Sequence, residues 1–84
     1  MTHATKHLYF AAFILAQIEI NLSILQWDVD LLVKNIIGED AWALLSEPEK
    51  LTVGSEFAYM AKHKLITFER VGTTSSNWAL YRRV

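Results

Sequence analysis

An apolar stripe of helical spacing runs through the first third of this chain and limits what the chain can fold into. Its members recur at alternating intervals of four and three residues, which places them on one side of a helix: Ala4, Leu8, Ala11, Leu15, Ile18, Leu22 and Leu25. A second apolar set widens that surface: Phe10, Phe13, Ile14, Ile20 and Ile24. In a chain of 84 residues, a helix this apolar must be covered on more than one side.

Residues 17–24 carry a second, competing pattern. Polar and apolar side chains alternate there without a break, which is typical of a strand. We predict one helix from residue 4 to about residue 25, because the apolar stripe continues through both halves. A helix that stops near residue 16, followed by a short strand, stays the alternative.

The apolar run at residues 8–16 raises the question of a membrane or export segment. The run is too short to span a bilayer, and Gln17 and Glu19 follow it directly. No cleavage pattern of small residues follows either. We therefore expect a soluble, cytoplasmic protein. The chain contains 0 cysteines, which excludes disulfides, thiolate metal sites and cysteine nucleophiles.

Carboxylates at two places predict the starts of further helices. Asp28 and Asp30 are suited to accept hydrogen bonds from the unpaired N–H groups at the start of a second helix. Gly38 is suited to end that helix. Glu39 and Asp40 then open a short helical turn.

The last part of the chain predicts a longer helix and a β-hairpin. Residues 46–49 have the form of a capping box with a proline in the first turn, which indicates a turn or a helix start. We predict Thr52 as the N-cap of a helix over 53–64. Two strands are predicted over 65–70 and 78–83, joined by a Gly- and Ser-containing loop. The fold class is α+β, mostly α, in a single domain: residues 1–27 form the apolar helix, and residues 28–84 form the core and hairpin.

Residues 51–83 resemble the second helix and wing of small bacterial or phage winged helix-turn-helix domains. The likeness lies in a capped helix that ends in basic residues, the apolar pair Leu65 and Ile66, a polar loop and a closing aromatic and basic strand. Residues 1–50 share only the order of elements. The resemblance implies a winged helix-turn-helix fold that binds double-stranded DNA as a transcriptional regulator.

The resemblance also implies which residues contact DNA: Thr52, Ser55, Tyr59, Lys62, His63, Arg70, Thr74, Ser75, Ser76, Asn77, Arg82 and Arg83. Ser55, Tyr59 and Lys62 would share one exposed helix face and contact base edges in the major groove. The three arginines would bind phosphates, together with the polar loop. Thr52 and the N–H groups of Gly54 and Ser55 would hold a phosphate at the helix start.

Charge is unevenly distributed along the chain. The net charge is −1, with two basic and six acidic side chains in residues 1–47 and six basic and three acidic ones in residues 48–84. The near-neutral total argues against strong nonspecific binding to nucleic acid. The C-terminal excess of cations still allows a local basic face.

The excess apolar surface of the first helix predicts a homodimer. A second subunit would cover residues 8–25, and the expected contacts are Leu8, Phe10, Ile14, Ile18 and Leu22. Two copies would also present two recognition helices to a repeated DNA site.

One alternative function belongs to another class: a protein-interaction adaptor with the same fold, whose apolar N-terminal helix contacts the partner. An enzyme is not expected, because the sequence has no glycine-rich phosphate loop and no nucleophile motif. His3 and His7 are four residues apart but have no third ligand at a suitable spacing. We therefore predict no metal and no cofactor.

Overall fold

The computed structural model describes the backbone of residues 3–84 and the side chains from Tyr9 onward. Four helices precede a hairpin in this part of the chain: α1 (His3–Asn21), α2 (Val33–Ile37), α3 (Glu39–Ala43), α4 (Glu47–Lys62), β1 (Phe68–Thr73) and β2 (Ala79–Arg83). The strands form a two-stranded antiparallel sheet. The α+β class is therefore confirmed. The side chains of His3, His7 and Leu8 lie outside the described residues.

Helix α1 ends at Asn21, before the predicted residue 25, and residues 17–21 are helical rather than extended. From Tyr9 to the end of this helix, the buried side chains are Phe10, Ile14 and Ile18, which are four residues apart. The inner face therefore combines members of both predicted sets, whereas Leu15 of the main stripe is exposed. Within the described residues, no helix has the length and apolarity needed to cross a membrane.

The second helix begins later than its predicted carboxylate caps. Helix α2 starts at Val33 after an extended Leu32, whose N–H donates to Asn35 Oδ1 at 3.0 Å. The prediction that Asp28 and Asp30 begin this helix is wrong. Leu31 exchanges two backbone hydrogen bonds of 2.8 Å with Tyr81 of β2, and this bridge holds Leu31 outside a helix.

Gly38 separates α2 from α3 as predicted. Its φ is 101°, a region that L side chains rarely adopt. Its N–H donates to Lys34 O at 3.0 Å, and its carbonyl accepts from Trp42 N at 2.9 Å. A Cβ at this position would lie 3.1 Å from the Asn21 amide nitrogen. Glycine therefore serves both the turn and the close approach of α1.

Helix α4 begins at Glu47, five residues before the predicted N-cap. The Ser46 N–H donates to Glu49 Oε1 at 2.8 Å, and the Glu49 N–H donates to Ser46 Oγ at 3.3 Å. The capping box is therefore confirmed. The assignment of Thr52 as N-cap is wrong, because Ser46 is the N-cap and the helix continues without interruption from Glu47 past Thr52.

The hairpin is shifted toward its tip relative to the prediction, since β1 begins at Phe68. Its register pairs Arg70 with Tyr81 and Thr73 with Ala79, with an irregularity between Arg70 and Gly72. The loop is correspondingly shorter than expected. In this register Phe68 and Tyr81 lie on the buried face of the sheet.

The core lies between α1, α2, α4 and the sheet. Each of these elements contributes fully or almost fully buried apolar side chains: Phe10, Ile14, Ile36, Ile37, Val53, Phe57, Met60, Phe68 and Tyr81. Phe57 lies at the centre of an aromatic cluster, with its ring 4.7 Å from Tyr81 and 6.0 Å from Phe68. This cluster fixes the hairpin against α4 and thereby sets the space between them.

Candidate functional site

The face of α4 that sequence analysis assigned to DNA is exposed. Ser55, Tyr59 and Lys62 lie at the surface, while Val53 and Phe57 are buried on the opposite face. The Tyr59 and His63 rings lie against each other with centroids 4.2 Å apart. The spacing rule therefore identified the outward side of this helix correctly.

Two of the predicted cations come together beside that face. Lys62 and Arg70 line one shallow cavity of about 360 Å³ with Glu69 and Tyr81. The Arg70 Nη2 also donates to Thr73 Oγ1 at 3.0 Å. A carboxylate therefore lies beside the two positive charges and reduces their attraction for phosphate.

The other two arginines hold the chain together elsewhere. Arg82 donates through Nη2 and Nε to Asp30 Oδ1, at 2.6 and 3.1 Å. Arg83 donates to Leu25 O at 2.8 Å, and its guanidinium lies 4.0 Å from the centroid of the Trp27 ring. These contacts fasten residues 25–30 to β2. The structure thus does not bring Arg82 and Arg83 together with Lys62 and Arg70.

The predicted phosphate site at the start of the recognition helix is contradicted. Thr52 lies inside α4, and its hydroxyl donates to Pro48 O at 3.0 Å. The amides of Gly54 and Ser55 lie beyond the first turn of α4, where α-helical N–H groups are used within the helix. The real first turn carries Glu47 and Glu49, whose negative charges disfavour a phosphate.

The hairpin tip is internally bonded. Thr74 donates its N–H to Trp78 O at 2.8 Å, accepts from the Trp78 N–H at its hydroxyl at 3.1 Å, and accepts from Asn77 N at its carbonyl at 2.9 Å. Ser75 and Ser76 are exposed beyond these bonds. The tip is a closed turn that presents two hydroxyl side chains.

Three of the predicted dimer contacts on α1 face inward. Phe10, Ile14 and Ile18 belong to the core of the chain itself, so they have almost no surface to offer a second copy. Leu22 is partly exposed, and Leu8 lies outside the described side chains. Homodimerisation stays a prediction, but Phe10, Ile14 and Ile18 are not available as its contacts.

A groove that sequence analysis did not predict lies between α4 and the hairpin. Its volume is about 320 Å³, at the lower end of the range for ligand sites. Three parts of the chain line it: Leu51, Gly54, Ser55 and Ala58 of α4; Arg70, Asn77, Trp78, Ala79 and Tyr81 of the hairpin; and Leu32, Val33, Lys34 and Trp42 of the α2–α3 region. The lining is mainly apolar and aromatic.

Large apolar side chains stay exposed at this groove. Leu51 is 75% exposed and Trp78 is 58% exposed, while Trp42 is half-buried. Burial of the Tyr81 phenol raises its pKa above the ordinary 10.0, and the charge of Arg70 opposes part of that rise. The site therefore combines aromatic surface, a neutral phenol and two cations, Lys34 and Arg70.

Gly54 keeps part of the groove open. It lies within α4, where glycine costs about 1 kcal/mol relative to alanine. An added Cβ would have no heavy atom within 4 Å, so packing within the chain does not require glycine here. Sequence analysis used only the backbone amide of Gly54, although an isolated glycine inside a helical segment is itself a signal of a packing or functional role.

The groove presents apolar, aromatic and cationic side chains. The described residues contain no group of three or more His, Cys, Asp or Glu side chains placed to hold a metal. Comparisons with protein-family models, curated proteins and solved structures found no match to this chain.

Proposed function

We propose that this chain is a protein-interaction module that binds a segment of a partner protein in the groove between α4 and the hairpin. The observation that carries the proposal is the composition of the groove, which is lined by Trp42, Trp78, Tyr81 and Arg70. Trp, Tyr and Arg are the residue types that contribute most binding energy at protein interfaces.

Exposure supports the same proposal. Leu51 and Trp78 together form an apolar rim on a small protein, and leaving such surface in water is unfavourable by roughly 25 cal/mol per Å². Contiguous exposed apolar surface of this kind marks interaction sites. A bound segment would cover the rim and use the space that Gly54 leaves open.

The groove can be blocked without disturbing the fold, which gives the test. Gly54→Ala adds a methyl group into open space, and Gly54→Leu fills more of the groove. Gly72 is the matched control, because its Cβ position is also open and it does not line the groove. All variants are made in a Trp27→Phe background, so that fluorescence reports only Trp42 and Trp78.

The assay titrates each variant with a pool of blocked seven-residue peptides that carry a central Phe and random flanking residues. We expect the parent and Gly72→Ala to bind with a change in tryptophan emission, Gly54→Ala to bind more weakly, and Gly54→Leu not to bind. Equal binding by Gly54→Leu and Gly72→Ala would remove the groove from the proposal.

Duplex DNA binding, as a winged helix-turn-helix transcriptional regulator in the cytoplasm, is the second candidate. The convergence of Lys62 and Arg70 beside the exposed face of α4 favours it. The order of helices followed by a C-terminal hairpin agrees with that fold. Against it stand the carboxylates Glu47, Glu49 and Glu69 on the same elements, together with the internal contacts of Arg82 and Arg83.

Salt elution from immobilised duplex DNA separates the two candidates. A DNA-binding protein should be retained, and the double variant Lys62→Ala/Arg70→Ala should lower the slope of log affinity against log salt by about two. Arg82→Ala is the control, since Asp30 already pairs with that guanidinium. Flow-through of the parent at low salt would reject DNA binding and leave the interaction module.

A further inference from the structure

We infer that the groove selects an acidic segment with one large apolar side chain, an inference that rests on the proposed interaction function. The two requirements come from different features of the groove. Its charge selects the flanking residues of the partner, and its shape and apolar lining select the central side chain.

The charge of the groove is opposite in sign to that of the whole chain. Among the residues that the structure describes, Lys34 and Arg70 line it and no Asp or Glu does, although the chain as a whole carries a net charge of −1. No carboxylate among the described side chains forms a salt bridge with either cation. A partner carboxylate would therefore meet positive charge without displacing an ion pair of the chain.

Arg70 has donors available for such a carboxylate. Its hydrogen bond to Thr73 Oγ1 uses one of the five N–H donors of a guanidinium. That bond also holds the side chain beside the groove, which lowers the entropy that a partner must remove. Lys34 supplies a second charge from the start of α2.

The shape of the groove selects a single large side chain. A volume of about 320 Å³ holds one aromatic or large aliphatic group and the adjoining backbone, but not a folded surface. Trp42, Trp78 and Tyr81 supply aromatic walls suited to edge or stacked contacts. Gly54 allows the backbone of the segment to approach α4 closely.

The chain itself uses this pairing of chemistries on β2. Residues 27–30, Trp-Asp-Val-Asp, dock with the Trp27 ring against Arg83 and with Asp30 on Arg82. An acidic and aromatic segment is therefore already held by arginines within this fold. The groove offers Arg70 and Lys34 for the same kind of contact with another protein.

The test sorts the seven-residue peptides by charge. Three blocked pools share a central Phe and differ in their flanking residues: Asp and Glu, Asn and Gln, or Lys and Arg. In the Trp27→Phe protein, we expect the acidic pool to bind about fivefold or more tightly than the neutral pool, and the basic pool to bind weakest. Added salt should reduce the difference between the pools.

A charge-reversal variant distinguishes a change in peptide preference from a loss of binding caused by damage to the fold. The double variant Lys34→Glu/Arg70→Glu should prefer the basic pool over the acidic one, an inversion that unfolding cannot produce. Arg82→Glu, away from the groove, should leave the preference of the parent unchanged.

The outcomes separate this inference from the proposed function. Equal binding of the acidic and neutral pools, both lost in Gly54→Leu, would overturn the acidic preference and retain the interaction module. Absence of Gly54-dependent binding for every pool would overturn both. An acidic preference that the charge-reversal variant inverts would support both.

Discussion

The side-chain amide of Asn21 joins the ends of two helices. Its nitrogen lies within hydrogen-bonding distance of the carbonyl oxygens of Gln17, Ile36 and Ile37, at 2.9, 3.2 and 2.8 Å. Carbonyls at a helix end have no partner within the helix. One side chain of α1 therefore satisfies the end of α2, and Gly38 leaves room for it.

Removing this amide should destabilise the protein. We expect Asn21→Ala to lower the free energy of unfolding by about 1–3 kcal/mol, because two partly buried carbonyls lose their donor. Asn21→Asp should cost more, since a carboxylate would face those carbonyl oxygens. Urea denaturation measures both, with the exposed Gln26→Ala as the control. If Asn21→Ala and Gln26→Ala have the same midpoint, the bridge contributes nothing.

The buried phenol of Tyr81 should make the stability of the protein depend on pH in the alkaline range. Burial raises the pKa of its phenol in the folded state above the ordinary 10.0, so the folded state retains the proton more strongly than the unfolded state. The stability from this difference is complete below the unfolded pKa and is lost as pH rises through the folded pKa. We expect the urea midpoint to fall above about pH 10, and to fall less steeply in Tyr81→Phe. Parallel pH profiles for the two proteins would refute this assignment.

At the scale of elements, α4 has a well-capped N-terminus and an interior that one glycine destabilises. The Ser46–Glu49 box caps it, and this box lowers the pKa of Glu49 through hydrogen bonds from the Ser46 backbone N–H and hydroxyl. Gly54 lies in the interior and gives up helix stability at the position that opens the groove. Helix α4 is thus stabilised at its N-terminus and less stable at Gly54, which lines the groove.

The capping box predicts a contrast between two hydroxyl residues. Ser46→Ala should destabilise the protein by about 1 kcal/mol, because the Glu49 amide loses its acceptor. Thr52→Ala should have little effect, since its hydroxyl only donates back to Pro48 O. Thermal unfolding of both variants measures the difference. A larger loss of stability in Thr52→Ala than in Ser46→Ala would contradict the assignment of Ser46 as the N-cap of α4.

The same box contributes to acid sensitivity. Because the folded pKa of Glu49 is lowered from 4.5, its contribution is present above that value and is lost as pH falls through the folded pKa. We expect Glu49→Gln to lower stability at neutral pH and to reduce the loss of stability between about pH 5 and pH 3. Acid titration of the unfolding midpoint checks this, and an unchanged acid profile would contradict it.

At the scale of the whole molecule, the C-terminal strand β2 contacts residues 25–31, which connect α1 to α2. Leu31 pairs with Tyr81, Arg82 with Asp30, and Arg83 with the carbonyl of Leu25. These links join positions 50 or more residues apart in the sequence. The Leu31–Tyr81 bridge also occupies one position on the edge of β2 that does not pair with β1.

The two arginines should differ in what they contribute to stability. Arg83→Ala should cost about 1.5–3 kcal/mol, since a charged donor to a part-buried carbonyl and its contact with Trp27 are both lost. Arg82→Ala should cost less than about 1 kcal/mol, because both partners in its ion pair are substantially exposed. Guanidinium denaturation of the two variants gives the comparison. A greater loss for Arg82 would contradict this ranking of the contacts.

Local patterns in the sequence determined much of the fold and part of the site. Five features depend on neighbours within about four residues in the sequence. They are the α+β class, the helical continuation through residues 17–21, the Gly38 turn, the Ser46 box and the outward face of α4. Such interactions are complete within one turn of chain, and a single sequence displays them.

Only the tertiary structure decided which cations are available and where the groove lies. Lys62, Arg70, Arg82 and Arg83 look equivalent in the sequence, yet two of them bind partners more than 50 residues away. Phe57 packs on Tyr81, and this contact between α4 and the hairpin places Gly54 and Trp78 at one groove. Contacts between distant residues depend on how complete elements pack, and helical and strand periodicity carries no information about that packing.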